Sequence, residues 1–384
     1  MSVSDYKPLF NRRYLYWLMW IVAIAIVLLN IPTAEKEDAG FTFYYLQEAD
    51  LYGMQTPASD TVQMEWLLQL PPAFNREQRL LHAELQAKLQ QIEADWLIRY
   101  NALSGHWEKI QRAETLGLRW RGNVSLSPER LQELSDELAE SFQSQSIQDE
   151  RWYAQAAAHI HLDLQSPENR LLAELGNWLQ PAWQDQDLQW LRLYSAAERP
   201  AAAEALPAPQ THSTPHTLAP HSGEMQGYQN QRWWLIAWPL ATHPSPQELA
   251  LSRLAASRLQ RYLEQETEIQ HYRLLWQPNQ RQGYLALILS LPESSDLSTE
   301  EWLEQLRHKI ADSRLDEHSA RLGGLEEATA ARQALELTAR FRWSLDSYPL
   351  FQDTLRTHSS DEIQAWLEAL LTTPAAVHWV LNPY

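Results

Sequence analysis

Gln231-Arg232-Trp233-Trp234-Leu235-Ile236-Ala237-Trp238-Pro239-Leu240 is the stretch from which the architecture reads most directly. As a strand it places Trp234, Ile236 and Trp238 on one face and Trp233, Leu235 and Ala237 on the other. A strand that is apolar on both faces is buried on both. Behind it come a Pro-bearing loop at 244–246, a long helical stretch at 248–265, strands at 269–277 and 283–291, and a second helix at 298–310. The same succession occurs earlier: a strand at 61–70, Pro71-Pro72, a helix at 76–94, a strand around 96–103, another at 117–124 and a helix at 127–142. Residues 61–142 and 231–310 are thus one unit present twice. Solenoid units are about 20–50 residues long, so a repeat of this length predicts two homologous α/β domains instead.

The remaining segments fit around these copies. Helices are expected at 149–164 and 168–179, the latter after Ser166-Pro167, and apolar residues recur at helical spacing through 316–343. A helix at 361–371 has Ser359 or Ser360 as its N-cap. A strand pair near 41–51 joins the first sheet, and 376–381 is a closing strand. Residues 196–226 are rich in Ala, Pro, Ser and His, a composition that reads as an extended connector. The expected layout is a first domain at 40–195, a linker at 196–226 and a second domain at 227–384.

The first residues address the location. Tyr14 to Leu29 is uninterrupted apolar sequence, extended by Asn30-Ile31 and stopped by Pro32. About 20 apolar residues span a bilayer, and aromatic residues favour its interfaces. Tyr14, Trp17, Trp20 and Leu28 are the anchoring residues of a transmembrane helix at 14–31. Lys7, Arg12 and Arg13 precede it and Glu35, Glu37 and Asp38 follow, so residues 1–13 are expected in the cytoplasm and the rest outside. The rival reading is a cleaved signal peptide, but its apolar core would be about 7–15 residues, and Pro32-Thr33-Ala34 matches its cleavage site poorly. A single span followed by a polar remainder predicts a bacterial inner-membrane protein facing the periplasm. Against 49 acidic residues stand 31 basic ones, a formal charge of −18 that disfavours nucleic acid as a partner. Cysteine is absent, which removes disulfides, thiolate metal sites and Cys nucleophiles.

The order strand, loop, helix, two strands, helix, then further helices and a last strand ending in Asn382-Pro383, resembles the insulinase/pitrilysin (M16) metallopeptidases. The resemblance covers about residues 40–384 and implies an α+β fold of two M16-like domains forming a half-clamshell. Active members carry H-x-x-E-H on the first long helix, two His that chelate zinc beside a Glu that activates water. The corresponding helix reads Arg76-Glu77-Gln78-Arg79-Leu80-Leu81-His82-Ala83-Glu84-Leu85. His82 and Glu84 are two apart and project from different faces, no second His is near, and His82 reads as an ordinary surface residue. Neither H-x-x-E-H nor H-E-x-x-H occurs in the chain, so neither catalytic residues nor a metal cofactor is expected. In the family's second domain an Arg and a Tyr hold substrate. Tyr272 stands at the Tyr position, making it the candidate substrate-binding residue, but Glu264-Gln265 occupy the Arg region. An edge-strand packing role explains Tyr272 equally.

Other constellations are weaker. His159 and His161 are two apart on a helix and lack a third ligand, and His212, His216 and His221 lie in the linker. Gly323-Gly324 has no strand–loop–helix context for a phosphate loop, and no G-x-S-x-G is present. The resemblance therefore implies a membrane-anchored, non-catalytic subunit that pairs with an active zinc-bearing M16 homologue to enclose polypeptides. The alternative is a peptidase-derived scaffold or chaperone for envelope or secreted proteins, with no proteolysis.

Overall fold

The computed structural model describes residues 41–384 apart from 48, 57–60, 100–104, 124–125, 146–149, 185–187, 200–217, 268, 293–297, 313–326 and 346. The expected membrane helix with Tyr14, Trp17, Trp20 and Leu28, and the positions of His212, His216 and Gly323-Gly324, lie outside the described residues. Among the described residues no helix is long and apolar enough to cross a membrane.

Two sheets carry the fold. The first is built from β1 (Thr42–Leu46), β2 (Leu51–Gln55), β3 (Val62–Gln69), β4 (Gly105–Arg112), β5 (Thr115–Gly122) and β6 (Trp190–Ala196), in the order β1-β2-β6-β3-β5-β4. The second is built from β7 (His221–Gly227), β8 (Gln231–Leu240), β9 (His271–Gln277), β10 (Gly283–Pro292) and β11 (Val377–Pro383), in the order β7-β11-β8-β10-β9. Leaving β1 aside, the two orders are the same. The directions agree as well: β2 runs parallel to β6 as β7 does to β11, and every other neighbouring pair is antiparallel. The duplication therefore extends well beyond the two copies read from sequence.

Two corrections follow. The expected strand around 96–103 is wrong at its start, because helix α1 (Arg76–Arg99) continues through Trp96 and the strand begins at Gly105. Leu85, Leu89, Ile92 and Trp96 are spaced 4, 3 and 4 apart and all are buried, the signature of one helix face. Trp96 meets Trp66 and Trp107 edge-on, at ring distances of 6.0 and 5.2 Å. Residues 196 and 221–226, read as linker, are strand: Ala196 ends β6 and His221–Gly227 is β7. His-Ser-Gly-Glu-Met-Gln carries no apolar run, yet β11 supplies it a parallel partner, and edge pairing needs only backbone.

The remaining helices are α2 (Pro128–Ser144), α3 (Glu150–Asp163), α4 (Pro167–Leu179), α5 (Pro246–Gln265), α6 (Thr299–Asp312), α7 (Glu327–Phe341), α8 (Ser347–Thr357) and α9 (Ser360–Thr372). Ser127, Ser166, Ser245 and Ser359 cap the helices that follow them. Ser245 and Ser359 do so in full capping boxes with Glu248 and Glu362.

Each sheet is covered on its front by helices of its own half. Met64, Trp66 and Leu68 of β3 pack with Leu85, Leu89, Leu131 and Leu134 of α1 and α2. Trp234, Ile236 and Trp238 of β8 pack with Leu254, Leu259, Leu306 and Leu367 of α5, α6 and α9. The back faces are exchanged. Leu171, Leu172, Leu175 and Trp178 of α4, from the first half, cover Leu235, Ala237, Ala286 and Ile288 of the second sheet. Ala331, Leu335 and Ala339 of α7, from the second half, cover Tyr45, Tyr52, Leu67 and Leu193 of the first sheet. The two-faced burial of β8 read from sequence is what the structure contains. Residues Phe41–Tyr384 form one compact unit.

Candidate functional site

Helix α1 opens at the place where the family resemblance looks for metal ligands. Asn75 accepts from the Gln78 backbone N–H at 2.9 Å, and Gln78 Oε1 accepts in return from the Asn75 and Phe74 N–H groups, both at 3.2 Å. Two orphan donors of the helix start are thereby satisfied. The same amides reach the facing helix α4. Gln78 Nε2 donates to the Gly176 carbonyl at 3.0 Å, and Asn75 Nδ2 donates to Asn177 at 3.2 Å and Gln180 at 2.7 Å. Gln180 Nε2 donates to Glu77 at 2.6 Å. Arg79 donates to the Phe74 carbonyl at 3.1 Å and to Asn169 at 2.9 Å.

The approach of the two helices is close because position 176 is glycine. A Cβ there would fall 2.7 Å from Gln78 Oε1 and 2.8 Å from the Asn75 nitrogen. Amides, one guanidinium and the single carboxylate of Glu77 therefore fill the start of α1, with no imidazole among them. Their polar atoms are already engaged with one another.

His82 is not the surface residue that its sequence context suggested. It is 6% exposed, with Nε2 2.6 Å from the Pro71 carbonyl oxygen. Burial lowers its pKa from the ordinary value, opposed by the Pro71 hydrogen bond, so the ring is neutral at pH 7 and donates through Nε2. It shares the buried stripe of Gln78, Leu85 and Leu89, a periodicity that would have revealed it. Glu84 turns elsewhere, pairing with Lys88 at 3.0 Å. Among the described residues no group of three His, Cys, Asp or Glu is placed to hold a metal ion. His159 and His161 are both exposed on α3, and His221 sits in β7, 2.9 Å from Glu174 of α4.

Tyr272 lies on the edge strand β9, opposite Leu289, and packs partly buried against the core of the second half. Desolvation and then Glu264 raise its pKa, the carboxylate acting by charge and by hydrogen bond. The carboxylate of Glu264 is thus the phenol's neighbour.

Sequence reading missed the polar residues that join the two halves. Glu114, in the turn between β4 and β5, is 3% exposed. It accepts from Asn279 Nδ2 at 3.0 Å and Tyr284 Oη at 3.1 Å, both from the second half. Burial pushes its carboxyl above the ordinary range despite these donors. Arg281 stacks its guanidinium on Trp183 at 4.4 Å. Glu65, 1% exposed on β3, receives Arg119 at 2.7 Å and Arg332 of α7 at 2.6 Å, and Glu336 receives Arg112 at 2.7 Å and Arg340 at 3.0 Å. These partners lie up to 267 residues apart, so no local pattern announces them.

No protein-family profile matches the sequence, and no curated protein matches it. Solved structures do. An inactive domain of an M16 peptidase from Pseudomonas fluorescens superposes with a TM-score of 0.55 at 12% identity, covering 90% of this chain and 98% of that one. A protease from Helicobacter pylori gives 0.48 at 9% identity, over 89% of this chain and 99% of that one. Pitrilysin gives 0.48 at 12%, over 88% of this chain and 43% of that one. At such identities a likeness speaks for architecture alone, and the architecture of this chain is the M16 peptidase fold.

Proposed function

We propose that this chain is a non-catalytic M16-like subunit, held in a bacterial inner membrane by residues 14–31, which pairs with an active zinc-bearing M16 homologue to bind or enclose polypeptides on the periplasmic side. One observation carries the reading. The start of α1, where the fold's zinc ligands would stand, is spent on an amide network that bolts α1 to α4 through Asn75, Gln78, Asn177 and Gln180. Restoring a metal site would require replacing residues that now hold the helix pair together. The inactive domain among the solved likenesses supports the same direction.

The test uses the full-length chain in mild detergent. Alone it is expected to carry no stoichiometric zinc and to cleave no unfolded polypeptide; isolated from its native membrane, it is expected to bring down a homologue bearing H-x-x-E-H. Zinc-dependent cleavage by the purified chain would sink the proposal. Recovery of envelope or secretion proteins without any zinc homologue would favour the scaffold reading instead.

A further inference from the structure

A small cleft lies where β2 and β6 of the first sheet meet the C-terminal end of α7 and the turn between β9 and β10. Its wall includes Asp50, Tyr52, Arg192, Gln280, Arg340 and Arg342, around a cavity of about 20 Å³. Three guanidiniums on one cleft stand out in a chain whose formal charge is −18. Arg340 is partly neutralised by Glu336 at 3.0 Å, and Arg192 donates to the Ala49 carbonyl at 2.8 Å. Among the described residues neither Arg192 nor Arg342 forms an ion pair. The one acid of the wall, Asp50, is turned to Tyr45 Oη at 2.7 Å.

A further observation bears on this cleft. Tyr52 Oη and Arg340 Nε are buried donors without a protein acceptor, and both belong to the wall. A buried donor left without an acceptor is costly. Asp50 and Arg342, the non-glycine residues of positive φ among those described, at 44° and 49°, owe it to the turn before β2 and to the C-cap of α7, whose Arg342 and Trp343 N–H groups donate back to Ala339 and Thr338. Cations at the end of α7 also offset the negative end of the helix dipole. That accounts for neither Arg192 on the opposing strand nor the unpartnered phenol of Tyr52.

Size narrows the occupant. A water needs roughly 10–15 Å³ of such space, so the cavity admits an object with the span of two oxygens and excludes a nucleotide or a sugar. We propose that this cleft binds a carboxylate group, with Arg192 and Arg342 at its mouth and Tyr52 and Arg340 donating from its floor. The inference is independent of the reading of α1. The carboxylate can come from a small organic acid or from the C-terminus of a polypeptide, and the test separates the two.

The full-length chain in detergent is titrated with acetate, with the tripeptide Gly-Gly-Ala and with that tripeptide's C-terminal amide, at constant ionic strength against chloride, by saturation-transfer NMR. Acetate is expected to bind. Arg342→Asn, whose side chain tolerates positive φ, and Arg192→Gln should each weaken it about tenfold or more, as loss of a charged hydrogen bond does. Tyr52→Phe should weaken it less, and Arg130→Gln, on α2, should leave it unchanged. Tighter binding of the tripeptide than of acetate, lost in the amide, assigns the site to chain termini; equal binding of acetate and tripeptide assigns it to small acids. Absence of acetate binding, or binding unchanged in both arginine variants with circular dichroism intact, overturns the proposal.

Discussion

The backs of the two sheets are covered by the same device and different chemistry. Behind the second sheet, α4 lays down Leu171, Leu172, Leu175, Trp178 and Leu179, an unbroken apolar layer. Behind the first, α7 offers the small surface of Ala331, Leu335 and Ala339 and adds charge, with Arg332 on Glu65 and Glu336 on Arg112. The first cover gains free energy by removing apolar area from water. The second must recover the cost of desolvating its ions before it gains any, and what it supplies above all is a fixed register between helix and sheet. The contrast makes α4 the main source of cohesion between the halves and α7 the source of their alignment.

The strongest way to break this comparison is Trp178→Ala, which empties the apolar layer under the second sheet. It should cost about 3–5 kcal/mol, read as a lower midpoint in urea unfolding. A loss below about 1 kcal/mol would mean that α4 is not the chief fastening. Next comes Glu65→Gln, which leaves Arg332 without its carboxylate and Arg119 with Glu108 alone, 2.9 Å away, and should cost about 3 kcal/mol, near the lower bound for a buried pair because Arg332 is 24% exposed. Replacing Glu65, Arg119 and Arg332 together by Met or Leu should come out near neutral. If the triple variant is as unstable as the single one, the ionic cover does more than align.

A smaller effect belongs to Gly176→Ala. The new methyl would press on Gln78 and Asn75 and should cost about 1–3 kcal/mol, with hydrogen exchange speeding first in the opening turn of α1. Unchanged exchange there would show that the amide network does not hold the two helices together.

The smallest effect is a dependence on pH. Glu114 has its pKa raised in the fold above the 4.5 of an ordinary glutamate, chiefly by burial. Its contribution to stability is therefore whole below pH 4.5 and declines as pH rises through the folded value. Glu336 behaves oppositely. Burial acts to raise it, but Arg340, Arg112 and Arg332 outweigh burial and hold it low, so its contribution stands above pH 4.5 and is lost on acidification. Denaturation of Glu114→Gln across this range should show less loss toward alkaline pH than the parent chain; superposable curves would remove Glu114 from the account.

Much of the fold could be read from residues alone, for identifiable reasons. The apolar residues on both faces of β8, the serines ahead of helices and the reappearance of one element order are local signals, and each corresponds to an element in the structure. Where local signals were absent or mixed, reading failed. Trp96 looked like a strand aromatic until its spacing from Ile92 and Leu89 placed it on the helix. The strand β7 was hidden in polar sequence because its stability comes from β11, over 150 residues later. His82 looked solvated because Glu84 lies two positions away, although Pro71 is the group it meets. The absence of a zinc motif was plain in the sequence. What replaced it was not, because the meeting of Gln78 with Gly176 depends on how α1 and α4 cross.

The exchanged cover helices also set a schedule for synthesis. When residues up to 199 have left the ribosome, Tyr52, Leu67 and Leu193 still lack the helix that will shield them, since Ala331, Leu335 and Ala339 are more than 130 residues away in the chain. Meanwhile α4 already displays Leu171, Leu175 and Trp178 with no sheet to lie on. A nascent first half thus bears two greasy faces that match each other's final partners and nothing yet made, the circumstance in which chaperones are needed and truncated products aggregate. The exposure ends in two steps, when β8 and β10 give α4 its sheet and when α7 then covers the first sheet.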